Sequence, residues 1–179
     1  ATGEVNLFTG KAELGQGILT ACIQIAADEL NIAPKRITIV SADTGATPDE
    51  GFTFGSLSIQ ESGMAIRQAA AELRHLLFVR GAERRGVKPA ALTVDDGTMR
   101  AKGRSLTYWQ LAAEAPFTAR ATGRATPKPP AERRYVGTSL ERVDIPDKVF
   151  GRTRYAHDLR LPDMLHGRVV RPPSYEARL

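Results

Sequence analysis

At 179 residues with 42% hydrophobic side chains, the chain can bury a core in one domain or two small ones. Its one cysteine excludes an internal disulfide and a multi-cysteine metal site, and no run approaches the roughly 20 apolar residues of a membrane-spanning helix. The net charge of +5 comes from residues 119–179, which hold 13 basic and 7 acidic side chains; these stand singly, without a zinc pattern or an RNA-binding aromatic signature, so a solvated or subunit-facing surface is expected and not a nucleic-acid interface.

Residues 4–9 alternate, with Val5 and Leu7 on one face, and read as a strand. Residues 10–17, Gly-Lys-Ala-Glu-Leu-Gly-Gln-Gly, lead from it into an apolar-periodic run, Ile18–Leu30, that reads as a helix on a sheet. Three glycines between a strand end and a helix start allow positive φ angles and close approach of a ligand. The helix start is expected to offer unpaired N–H groups to an anion, and Gln16 can both donate and accept. Neither common nucleotide loop fits. Lys11 is followed by Ala12 where a P-loop needs Ser or Thr, and Thr20 stands where the dinucleotide fingerprint needs its third glycine. A plain structural turn is the alternative. Cys22, on the buried side of the helix, reads as core.

Past Asn31 and Pro34, residues 36–41 are β-branched and read as a second strand, completing a β-α-β unit with the strands side by side. Residues 43–55 read as a loop whose three carboxylates do not follow calcium-loop spacing and are expected to be solvated. Residues 54–59 are expected to open a long helix that runs to about Arg85, with Ser56 and Ser58 as natural N-caps. Residues 92–100 read as a hairpin turning at Asp96-Gly97, and 105–107 lead a short helix in which Trp109 packs. Residues 116–130, centred on Pro-Lys-Pro-Pro, should be extended. His75, His157 and His166 have no metal-ligand spacing around them and read as structural.

Residues 10–20 resemble the glutamine motif of the xanthine oxidase family of molybdenum hydroxylases, above all large subunits of the isoquinoline 1-oxidoreductase and nicotinate dehydrogenase type. Gly55-Ser56-Leu57-Ser58 resembles the stretch with which those enzymes bind the pyrophosphate and pterin end of their cofactor, and residues 143–173 resemble the opening of their α/β hammerhead domain. The resemblance implies a molybdenum–pterin dinucleotide, in the cytosine form, held by the pterin with no direct protein ligand to the metal. It assigns Gln16 a catalytic role, as an amide toward an oxygen or sulfur ligand of the metal, and cofactor binding to Gly15, Gln16, Gly17, Gly55, Ser56, Leu57 and Ser58. It implies hydroxylation of an N-heteroaromatic or aldehyde with oxygen from water. Implied partners are the rest of the large subunit, a [2Fe-2S] small subunit and a cytochrome c electron acceptor.

The expected fold is α/β (α+β): a small β-sheet with two packed helices over residues 1–118, an extended linker over 119–142, and the beginning of a hammerhead over 143–179, giving a mostly β second unit. The family's glutamate base belongs to a motif not found here, so the chain reads as a fragment that is inactive by itself. Relatives include exported and cytoplasmic enzymes, which leaves the compartment open. The alternative is a non-catalytic α/β interaction domain whose glycine turns are structural.

Overall fold

The computed structural model describes residues 3–177. Strand β1 (Val5–Thr9) pairs in parallel with β2 (Ile37–Ser41), in a register that sets Val5 beside Ile37 and Thr9 beside Ser41. A parallel pair needs a crossover, and helix α1 (Ile18–Leu30) supplies it. Its apolar stripe of Ile18, Cys22, Ile23, Ala26 and Leu30 is buried, and the helix stops where Asn31 turns left-handed at φ 52°. The β-α-β reading therefore holds.

The second helix starts later than its serines suggest. Gly55 and Ser56 both have positive φ, at 66° and 59°, which breaks any helix there. A single π-turn at Ile59–Gly63 follows, and α2 then runs from Met64 to Arg85 and ends at left-handed Gly86. Ile66, Ala70 and Leu77 pack α2 into the same core as α1.

Beyond it lie three antiparallel strands, β3 (Thr93–Asp95), β4 (Thr98–Ala101) and β5 (Arg104–Thr107). Asp96 and Gly97 take φ values of 42° and 71°, the positive pair that matches strand twist in a two-residue hairpin. The third strand was not anticipated from the sequence, where residues 105–107 read only as a lead into a helix. Buried Met99 and Leu106 join this sheet to the core, with Tyr108 and Leu111 of α3 (Tyr108–Glu114). A capping box starts α3: Thr107 Oγ1 accepts from the Gln110 amide at 3.1 Å, and Gln110 Oε1 accepts from the Thr107 amide at 2.8 Å. Thr107→Ala should lower stability by about 1 kcal/mol, read from the urea midpoint; an unchanged midpoint would mean the cap is dispensable.

Residues 119–142 are mostly irregular, with one 3-10 turn at Pro130–Glu132, and they lie along the helices as a strap. Arg67, Gln68 and Arg74 of α2 donate to the carbonyls of Lys128, Ala125 and Thr126 at 2.6, 2.7 and 2.8 Å. Two buried carboxylates of α1 take the strap's amides. Glu29 accepts from Lys128 at 3.0 and 3.1 Å, and Asp28 accepts from Arg134, Tyr135 and Val136 at 2.7, 3.0 and 2.9 Å. The chain divides into two compact units after Ile145, so the strap lies inside the first.

A short helix, α4 (Ile145–Val149), begins at the last residue of the first unit, and the second unit continues to a single 3-10 turn at Ala156–Asp158. Its described residues include no strand, which differs from the mostly β unit expected. A strand exists only through a paired edge, and none of these residues finds one. Val149, Phe150, Leu165, Val169 and Val170 are exposed. Among the described residues, no helix is long and apolar enough to cross a membrane.

Candidate functional site

The turn after β1 is pinned from beneath by the loop after β2. Lys11 is 2% exposed, and its Nζ donates to the carbonyls of Glu50 and Phe52 at 2.7 and 3.1 Å. Glu50 Oε2 in turn accepts from Thr9 Oγ1 and the Gly10 amide at 2.7 and 2.8 Å, and the Ala12 amide donates to Thr53 Oγ1 at 2.8 Å. The two loops approach so closely that a Cβ on Gly10 would lie 2.4 Å from the Pro48 carbonyl. Glycine is therefore required there. Among the three loop carboxylates, Glu50 is thus a structural acceptor and not a solvated group.

Glu13 bridges the turn to the start of α1. Its carboxylate accepts from the amides of Gly15, Gly17 and Leu19 at 2.8, 2.9 and 3.4 Å. A negative charge at this end also complements the helix dipole. The chain's own carboxylate thus takes the Gly17 and Leu19 amides, part of the N–H set that the helix start was expected to offer to an outside anion. Arg142 lies across the same turn. It grips Asp144 with Nε and Nη2 at 3.0 and 2.7 Å, donates from Nη1 to the Gly15 carbonyl at 2.7 Å, and brings Nη2 to 3.4 Å from Glu13 Oε1. The fork on Asp144 raises the guanidinium pKa further above its usual range, so the charge is permanent.

Gln16 is exposed at the crest of this turn. Its Oε1 accepts from the Leu14 amide at 2.6 Å, and one Nε2 hydrogen goes to the Ala12 carbonyl at 3.0 Å. The second Nε2 hydrogen remains for a ligand. Gly15 and Gly17, at φ 107° and 82°, give the turn its shape, and Gly17 is the residue from which α1 springs.

Gln16 faces a groove of about 390 Å³ whose walls include Leu14, Ile18, Phe54, Ser56, Ser58 and Ile59. The two motif stretches, some forty residues apart in sequence, meet there. Ser58 occupies the N-cap position of the π-turn without a side-chain cap bond, so its hydroxyl and the amides of Ile59 and Gln60 are uncommitted, whereas the Glu61 amide donates to the Leu57 carbonyl at 2.9 Å. Gly15, Gly17, Gly55 and Leu57 shape the backbone behind the groove and do not line it. Leu14 (71% exposed), Phe52 (84%) and Phe54 (67%) form an apolar lip, with the two rings edge-to-face at 6.2 Å. The groove therefore combines an amide donor, two hydroxyls and open helix amides with flat apolar walls. That donor set suits an anionic, ring-containing, heteroatom-rich ligand.

The other predicted groups lie away from it. Cys22 is fully buried, and desolvation, with a smaller push from the Glu50 carboxylate, raises its thiol to about 12. His75, His157 and His166 are all exposed. Reasoning from sequence missed Lys11, Glu13 and Arg142. Lys11 could have been found, because Val5, Leu7, Thr9 and Lys11 continue one inward-facing alternation.

The family model of the molybdopterin cofactor-binding domain matches residues 1–146, and the chain belongs to that family, a part of the xanthine oxidase family of molybdenum enzymes. Within it, the chain is 40% identical over 172 residues to a nicotinate dehydrogenase subunit of Pseudomonas putida, covering 96% of this chain and 14% of that protein. It is 32% identical over 177 residues to a membrane-bound aldehyde dehydrogenase (pyrroloquinoline-quinone) of Gluconacetobacter polyoxogenes, covering 96% of this chain and 23% of that one. Among solved structures it is similar to a Cu,Mo-CO dehydrogenase in its carbon monoxide reduced state, with a TM-score of 0.51 and 30% identity over 60% of this chain and 14% of that one. The chain thus spans less than a quarter of the length of these relatives.

Proposed function

We propose that the groove between the Gln16 turn and the Ser56–Ser58 stretch receives a molybdenum–pterin dinucleotide, in its cytosine form. The chain would be part of the large subunit of an oxidoreductase that hydroxylates an N-heteroaromatic or aldehyde with oxygen from water. The observation that carries this reading is the convergence of Gln16, Ser56 and Ser58 on one groove, each with hydrogen-bonding capacity its own fold leaves unspent.

The bound group supplies the oxygen-transfer and redox chemistry. The chain's residues supply placement. Gln16 directs its unspent Nε2 hydrogen at an oxygen of the group, which orients it without adding charge. Ser56 and Ser58, with the open amides of the π-turn, hold the phosphate end. Leu14, Ile18 and Phe54 exclude water from the ring. Gly15, Gly17 and Gly55 keep the backbone in the left-handed turns from which these groups project, and Leu57 backs that turn. Electrons would leave through a [2Fe-2S] small subunit to a cytochrome c acceptor, and the exposed lip at Phe52 would be covered by the rest of the large subunit.

The test is metal analysis, with pterin fluorescence after oxidative release, on the large subunit assembled with its partners. Molybdenum and pterin near one per large subunit are expected, with roughly a tenfold loss in Gln16→Ala. A well-folded assembly that holds neither, under conditions that load a control molybdoenzyme, would favour the interaction-domain reading, for which the exposed lip is the supporting feature. A quinone found in their place would make the aldehyde dehydrogenase the better guide.

A further inference from the structure

We infer that Arg142, seated on Asp144, is a positioning residue for Gln16. The inference rests on the reading of the groove as the pterin site. Gln16 reaches the groove only because the turn beneath it holds one shape, and that turn's own hydrogen bonds are short-range and exposed. Two contacts from far along the chain immobilise it. Arg142 Nη1 holds the Gly15 carbonyl at 2.7 Å, and Nη2 lies 3.4 Å from the Glu13 carboxylate that gathers the amides of Gly15 and Gly17.

The guanidinium is itself fixed. Its Nε and Nη2 bind the two oxygens of Asp144, and such a two-point fork sets the plane of the group as well as its place. The next amide, Val143, donates to Thr20 Oγ1 of α1 at 3.1 Å, which seats the segment on the helix that Gly17 begins. The side-chain stem crosses Gly17 itself, since a Cβ there would meet Arg142 Cδ and Nε at 3.6 Å. Peptide plane 15–16 thus has its carbonyl held by Arg142, while the amides on either side are held by Glu13. The direction of the Gln16 side chain follows from that plane.

The experiment uses the assembled enzyme with Arg142→Ala, Arg142→Lys, Asp144→Asn, Gln16→Ala and the Arg142→Ala/Gln16→Ala double variant. It reads pterin and molybdenum content, thermal midpoint, and the paramagnetic resonance spectrum of the metal in whatever fraction is loaded. Arg142→Ala should lower cofactor content roughly tenfold, the usual cost of losing an orienting partner, with a near-native midpoint and an altered metal spectrum. Lysine should restore less than half of the content, because one ammonium cannot serve Asp144 and the Gly15 carbonyl in fixed geometry. The double variant should fall no lower than Gln16→Ala, since both substitutions disable one device. Should Arg142→Ala fail to assemble, Asp144→Asn keeps shape and charge on Arg142 and should still show a loss in the same direction.

Full cofactor content in both Arg142→Ala and Asp144→Asn, beside a depleted Gln16→Ala, would overturn the inference. So would losses that multiply in the double variant. Undiminished content in Gln16→Ala is a separate outcome: it would sink the reading of the groove and, with it, this one.

Discussion

Asp28→Ala should cost about 3–4 kcal/mol, a large part of the stability of a chain this size. One buried carboxylate accepts three consecutive strap amides, from Arg134, Tyr135 and Val136. Hydrogen bonds to a charged acceptor are worth more than neutral ones, and an orphaned buried amide bears its full desolvation cost. Asp28→Asn preserves shape but turns one acceptor into a donor facing an N–H, so an intermediate loss is expected. The alanine variant should lower the thermal midpoint by about 10 °C. Its strap should also become open to trypsin at Arg133 and Arg134. A native midpoint together with native protease resistance would show that the strap does not depend on this carboxylate.

Lys11→Met should cost about 2–3 kcal/mol and deform the groove. Methionine keeps the apolar stem but removes the donor that serves the carbonyls of Glu50 and Phe52. Phe54, Ser56 and Ser58 follow directly in sequence, so the groove wall should shift with the loop. Urea denaturation measures the first effect, and the pterin content of the assembled enzyme the second. A variant as stable and as well loaded as the parent would remove Lys11 from the account of the site.

What the sequence made legible was local. Alternation through Val5 and Leu7, the helical stripe from Ile18 and the β-branched run to Ser41 specify the β-α-β unit without help from elsewhere. Asp96-Gly97 specifies its hairpin by the same kind of short-range rule. The groove was half legible, since its two motif stretches could be quoted but not brought together. Legibility ended where distant residues decide. Glu13 closes the start of α1 in a way that a list of open helix amides does not reveal, and Arg142 acts on a turn 127 residues away from it. The proline-centred strap was read as extended, yet its partners on α1 and α2 depend on carboxylates and arginines whose side-chain directions no local pattern records. The start of the second helix moved because Ser56, a good capping residue by type, adopts a left-handed backbone instead.

The anchoring of α1 by the strap also orders events during synthesis. Asp28 and Val136 are 108 positions apart. At ordinary elongation rates of 5–20 residues per second, about 5–20 s separate the emergence of this carboxylate from that of its last partner. Through that interval Asp28 stays hydrated, whereas Glu29 can already pair with Arg67 and Arg74 of α2. Ring closure over so long a span is entropically slow, which makes the strap's arrival a late step in maturation. Loading of a large prosthetic group before that step would meet a scaffold still missing the Arg142 contact.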